Sequence, residues 1–148
     1  MIQKENSYNN KEDDEFIAKY TKNLYEEMHN IKEYNSEKEL MDECQESNKK
    51  LFIHFYSDEF EKCKLYNLIL NDIKDHFKDI LFRKINVKIC YTTVEKLGIK
   101  VLPFTCLFRD GYFIESIEGF RKFGNKEDIN SNDVIRYIEG CDLSKEIF

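Results

Sequence analysis

One cysteine, Cys63, stands in the first turn of a segment with helical periodicity, just after an apolar run, LFIHFY, over 51–56. A helix N-terminus stabilises thiolate through its dipole and free N–H groups, so a sulfur there is a candidate nucleophile. One turn into the helix that effect is already fading. Dithiol exchange also needs a second thiol to resolve the mixed disulfide. None lies at helical distance: three residues before Cys63 stands Phe60, with Glu61 and Lys62 between them. Cys63 therefore reads either as a structural thiol or as the sulfur of a monothiol redox site. His54, in the middle of the apolar run, is either a hydrogen-bonded core histidine or a proton acceptor near Cys63. Lys84 falls in the next expected strand, and a cation there would disfavour protonated histidine. The only proline, Pro103, begins a second apolar run forty residues on.

The elements that must position these residues follow from periodicity. Phe16, Ile17, Tyr20, Leu24, Tyr25 and Met28 recur at helical spacing and predict an amphipathic helix over 15–29, docking either on its own domain or on a partner. Residues 1–14 are Asn- and charge-rich and are expected to be disordered. Residues 30–35 are compatible with a short strand. Ser36 with Glu39 resembles a capping box for a helix to about Glu46 that buries Leu40, Met41 and Cys44. The 51–56 run is apolar on both faces apart from His54, the pattern of a central strand. Asp58 or Glu59 is expected to cap the next helix, whose apolar positions are Leu65, Leu68, Ile69, Ile73 and Phe77.

A strand over 80–87 and a helix over 91–97 stopped by Gly98 follow. Strands over 104–108 and 112–118 flank Asp110-Gly111, a hairpin signal. Residues 119–132 form a polar loop with Phe120, Phe123, Gly124 and Asn125, and 133–139 a last helix with Val134, Ile135 and Ile138 inward. The alternation predicts an α/β fold with a partly parallel sheet closed by an antiparallel hairpin.

Composition narrows the function classes. The 148 residues carry a net charge of −6, which argues against a nucleic-acid ligand. Five widely spaced cysteines, an odd number, fit reduced thiols in the cytoplasm. The polar N-terminus does not have the pattern of a secretory leader, and none is expected. No apolar stretch approaches the roughly 20 residues that span a bilayer, so no membrane partner is expected. Phosphate-binding glycine loops, metal-ligand spacings and the nucleophile elbow are missing from the sequence, and no cofactor or metal is expected.

The stretch F-I-H-F-Y-S-D-E-F-E-K-C-K over 52–64 resembles the thioredoxin strand followed by W-C-G-P-C-K. G-I-K-V-L-P over 98–103, then L-F-R-D-G over 107–111, resembles the cis-proline strand and hairpin of that family. The likeness runs from about Asn30 to Gly140. It implies a thioredoxin-like domain over 30–148, a central mixed sheet flanked by helices, behind an N-terminal helical segment over 1–29. It sets Phe60 at the nucleophilic cysteine and Cys63 at the resolving one. His54 falls where active thioredoxins hold a buried acid, and Lys84 at that acid's lysine neighbour.

The H-F-Y strand, the single cysteine followed by lysine and the loop G-F-R-K-F-G-N-K-E-D over 119–128 are similar to the phosducin-like proteins, in particular the thioredoxin domain-containing protein 9 group. That resemblance implies a non-catalytic co-factor of the cytosolic chaperonin CCT acting on actin and tubulin folding. Phe60, Cys63 and Pro103 are then degenerate site positions, and Phe120, Phe123, Gly124 and Asn125 are candidates for protein contact. A monothiol redox protein using Cys63, with His54 and Lys84 nearby, is the alternative. A regulator binding G-protein βγ subunits is a second.

Overall fold

The computed structural model describes residues 12–22, 24 and 30–145. The chain divides into two units, Met1–Asn30 and Ile31–Phe148. In the first, helix α1 covers 12–22, so it begins inside the stretch expected to be disordered. Contiguous Glu12–Glu15 at its start complement the positive end of a helix, which explains the early onset. Phe16 and Tyr20, one turn apart, stack at 6.3 Å on an exposed face that also carries Ile17 and Leu24. Residues 1–11, and Tyr25 and Met28 of the expected helical stripe, lie outside the described residues.

The second unit is built on a five-stranded sheet. Its strands are β1 (Lys32–Glu33), β2 (Lys50–Tyr56), β3 (Ile80–Asn86), β4 (Phe104–Arg109) and β5 (Tyr112–Glu118). Their order is β1-β3-β2-β4-β5. β1 and β2 run parallel to β3, while β4 runs antiparallel to β2 and β5. The helices are α2 (Glu37–Cys44), α3 (Glu61–Ile73), α4 (Tyr91–Leu97) and α5 (Ser131–Gly140). This is the mixed α/β arrangement the alternation predicts. Among the described residues no helix is long and apolar enough to cross a membrane.

Side chains alternate across a strand, so each face of β2 feeds one core. Leu51, Ile53 and Phe55 pack with Leu40, Ile85, Phe104 and Cys106. Phe52 packs on the opposite face with Tyr66, Leu70, Phe82, Leu107 and Ile138. α3 sets Cys63, Tyr66, Ile69, Leu70 and Ile73 inward. Leu68, expected in that stripe, is two-thirds exposed, because the buried face turns on 63, 66, 70 and 73. Met41 is likewise exposed, since the short α2 buries only its Leu40 and Glu43 side.

Local signals set the boundaries. Ser36 Oγ accepts from the Glu39 N–H at 3.1 Å, but Glu39 reaches back to the Asn35 N–H rather than to that of Ser36. α5 has the reciprocal capping box, between Asn130 and Asp133, so it starts earlier than expected. Gly98 ends α4 with φ +65°. In the hairpin Asp110 (φ +54°) and Gly111 (φ +84°) are both left-handed, as a tight two-residue turn requires. A Cβ at Gly111 would lie 2.9 Å from the Gln45 carbonyl oxygen, so the turn packs directly on the end of α2.

Glu43 ties the parallel half of the sheet to α2. It accepts from Tyr34 Oη at 2.6 Å, Lys49 Nζ at 2.9 Å and Arg83 Nε at 2.7 Å. Burial pushes this carboxyl up, but the bonds from Arg83, Tyr34 and Lys49 outweigh it and bring it down to about 2.

Candidate functional site

β2 delivers the chain to the mouth of α3. Ser57, just past the strand, is buried and its Oγ accepts from the Glu59 N–H at 3.3 Å. α3 begins only at Glu61, so neither Asp58 nor Glu59, expected as its cap, holds the N-cap position. The N-cap is Phe60, with extended backbone and no side-chain cap, and its carbonyl accepts from the N–H groups of Cys63 (3.1 Å) and Lys64 (3.3 Å). Phe60 is 48% exposed, whereas Cys63 is 2% exposed. The helix therefore presents a phenyl ring where a nucleophilic sulfur would stand and buries the thiol one turn below. Burial pushes the Cys63 thiol up, a backbone hydrogen bond from the Ser57 side partly offsets this, and the Asp58 charge raises it further. The thiol stays protonated at neutral pH, the opposite of an activated cysteine.

His54 lies on the α3 side of β2, fully buried. Its ring meets the edge of Tyr66 at 4.9 Å and lies 5.4 Å from Tyr56. Neither ring nitrogen makes a well-formed hydrogen bond, and the backbone of Cys63 rather than its sulfur is the polar group that acts on the ring, so the histidine is not a base bonded to that thiol. Burial, then the Lys84 charge, push the imidazole down to about 3 against a weak opposing pull from the Cys63 backbone. Lys84 is opposite His54 in the β2–β3 register, and its Nζ lies 5.6 Å from the centre of the Tyr56 ring. The Tyr56 hydroxyl donates to Glu33.

Pro103 reaches the same end of the sheet. Phe104 pairs with Phe55, which sets Pro103 just beyond, level with the end of β2. The Leu102–Pro103 peptide is cis, and the Pro103 carbonyl accepts from the Gly119 N–H at 2.8 Å. The structure thus brings Phe60, Cys63, His54 and Pro103 to one end of the sheet.

Phe120 and Phe123 do not face solvent. Both are buried, with ring centres 5.9 Å and 5.7 Å from that of Tyr66. Lys62 Nζ sits 5.6 Å from the Phe120 ring centre. The turn that follows, Gly124 (φ +97°) and Asn125 (φ +53°), is exposed. Sequence reasoning missed Tyr66, whose hydroxyl pairs with Thr105 Oγ1 at 2.9 Å beneath the site. The available signal was its position one helical turn after Cys63.

The thioredoxin family model matches residues 30–131. Mouse thioredoxin domain-containing protein 9 is 32% identical over 110 residues, covering 74% of this chain and 48% of that protein. Phosducin-like protein 1 of Saccharomyces cerevisiae is 38% identical over 84 residues, covering 57% of this chain and 36% of that protein. The chain thus spans half or less of these relatives' lengths. Among solved structures, Plasmodium falciparum thioredoxin superposes with a TM-score of 0.61 at 16% identity, covering 74% of this chain and 97% of that one. Mitochondrial thioredoxin 3 from Saccharomyces cerevisiae gives 0.55 at 24% identity, covering 60% and 83%. The first position of the dithiol motif holds phenylalanine on this same scaffold, and the chain belongs to the thioredoxin family, within it to the phosducin-like proteins of the thioredoxin domain-containing protein 9 group.

Proposed function

We propose that this protein is a non-catalytic, thioredoxin-like binding protein that regulates folding of actin and tubulin by the cytosolic chaperonin CCT. The observation that carries the non-catalytic reading is the pairing of an exposed Phe60 with a buried Cys63, whose thiol burial holds above its ordinary value. The chaperonin and its clients rest on the resemblance to the phosducin-like group, as does a cytoplasmic location. A contact surface is available where the strands end. Phe60, Ile89 and Val101, from the segments after β2, after β3 and before β4, each expose more than two-fifths of their surface. Apolar side chains gathered at one end of a sheet favour a protein partner over a small polar ligand. Gly124 and Asn125 supply a second exposed contact, held in place by Phe120 and Phe123 beneath.

Affinity capture from cytosolic extract at low salt tests this reading. Chaperonin subunits are expected in the eluate, and Phe60→Asp is expected to reduce their recovery. An eluate without chaperonin subunits refutes the assignment of partner. Insulin-reduction turnover that disappears in Cys63→Ser refutes the non-catalytic reading.

A further inference from the structure

α5 and the 119–130 loop enclose a groove of about 460 Å³ at the surface. Its walls carry Lys122, Lys126 and Arg136, and its floor carries Phe123, Tyr137 and Asp133. The charges are layered. Asp133 is nearly buried, with 9% of its side chain exposed, while Lys126 exposes 47% and Arg136 75%. Its oxygens already accept from the Asn130 N–H (2.9 Å), Lys126 Nζ (3.2 Å) and, more loosely, Arg136 Nη2 (3.5 Å). Glu115, also sunken, accepts from Lys122 and from the Tyr137 hydroxyl. The carboxylates thus hold the cations, whose exposed ends line the groove, while the exposed Glu127 of the same loop pairs outward with Lys62.

The floor between the cations is aromatic, the rings of Phe123 and Tyr137 meeting edge to face at 5.4 Å. A concave strip with cations on its walls and rings on its floor fits an extended peptide whose carboxylates alternate with small or apolar side chains. The net charge of −6 opposes a long polyanion such as nucleic acid, but it leaves a short acidic segment free to enter a locally basic groove.

We infer that this groove binds a glutamate- or aspartate-rich segment of a partner protein, clamped between Lys126 and Arg136 on one side and Lys122 on the other. This deepens the binding-protein reading and rests on it for the choice of a peptide as ligand.

The test is a fluorescence-anisotropy titration of the full chain with a fluorescein-labelled oligoglutamate peptide at low salt. Saturable binding is expected. Lys126→Gln combined with Arg136→Gln should weaken it about tenfold or more, as loss of rim cations from a charge-complementary contact does. Lys38→Gln combined with Lys64→Gln removes the same charge from exposed sites elsewhere and should leave affinity within about twofold. Circular dichroism confirms that both pairs fold. No binding, or equal weakening by the two pairs, overturns the inference. So does displacement of the peptide by inorganic phosphate, or by a single-stranded oligonucleotide, at matched charge concentration. A failed titration alongside successful chaperonin capture removes the groove alone, whereas a successful titration without capture removes only the chaperonin.

Discussion

His54 and Lys84 stand opposite each other in the parallel register of β2 and β3, with the imidazole fully buried. In the folded chain the imidazole falls to about 3 because burial and the lysine charge both oppose protonation. The unfolded chain titrates near ~6.5.

Between those two values the unfolded chain binds a proton that the native state refuses, so stability is full above about pH 6.5 and declines as pH falls toward 3. The loss should reach ~2 kcal/mol by pH 5, above the range in which carboxylates contribute. His54→Leu removes this dependence and is expected to leave stability at pH 7.5 unchanged or higher, because it replaces a buried imidazole that lacks a well-formed hydrogen bond. Urea melts of both proteins at pH 7.5 and pH 5 check it. A parallel fall in wild type and variant would place the acid sensitivity elsewhere.

Phe60→Cys tests whether the scaffold still holds dithiol geometry. The Cys63 N–H donates to the Phe60 carbonyl at 3.1 Å, so the two positions are one helical turn apart, within the span a disulfide needs. Oxidation of the variant is expected to consume two thiols intramolecularly, as read by thiol titration and peptide mapping. Insulin reduction should be slow, because His54 supplies no bonded base to the pair.

The legible part of this fold was the part written in local pattern. Alternation in 51–56, the Asp110-Gly111 turn and the Gly98 stop are decided by nearest neighbours along the chain. The misjudged positions depend on packing between distant segments. Leu68 fits a helical stripe, but α3 turns Tyr66 inward to meet Phe120, Phe123 and Thr105. Asp58 and Glu59 are sound caps by residue type, yet the helix starts too late for either, with Phe60 at the N-cap. At the site, the substitution of Phe60 for a cysteine was legible in the motif. The lack of a well-formed hydrogen bond at His54 was not, since satisfaction of a buried nitrogen depends on three-dimensional neighbours. The basic groove was also hidden, because Lys126 and Arg136 are ten positions apart and meet only at Asp133.

Glu43→Ala should be among the most disruptive single changes in the domain. It strands Arg83, whose Nε now donates to the carboxylate at 2.7 Å, and frees Tyr34 and Lys49. A loss on the order of 3 kcal/mol is expected for breaking a mostly buried ion pair. The native carboxyl titrates below its ordinary value, so this contribution is present above about pH 4.5 and disappears as pH falls through about 2. Chemical denaturation at neutral pH measures the first part. Repeating it at low pH should show the gap between wild type and variant closing.

Tyr66→Phe and Thr105→Val each orphan one member of a buried hydroxyl pair. Each single change is expected to cost about 1–2 kcal/mol, and the double change less than the sum, because it leaves no unpaired hydroxyl. A double-mutant cycle by urea melts measures the coupling. Strict additivity would show that the two hydroxyls contribute independently.

The rings of Phe120 and Phe123 each lie within 6 Å of that of Tyr66, and Phe123 continues to Tyr137. A surface loop ordinarily gives up conformational entropy when a partner immobilises it, and that loss is subtracted from affinity. Here the buried rings of Phe120 and Phe123 tie the start of the 119–130 segment to the core as the domain folds. A partner contact at Gly124, Asn125 and the neighbouring cations, as proposed, would therefore depend in strength on the integrity of the aromatic core beneath it.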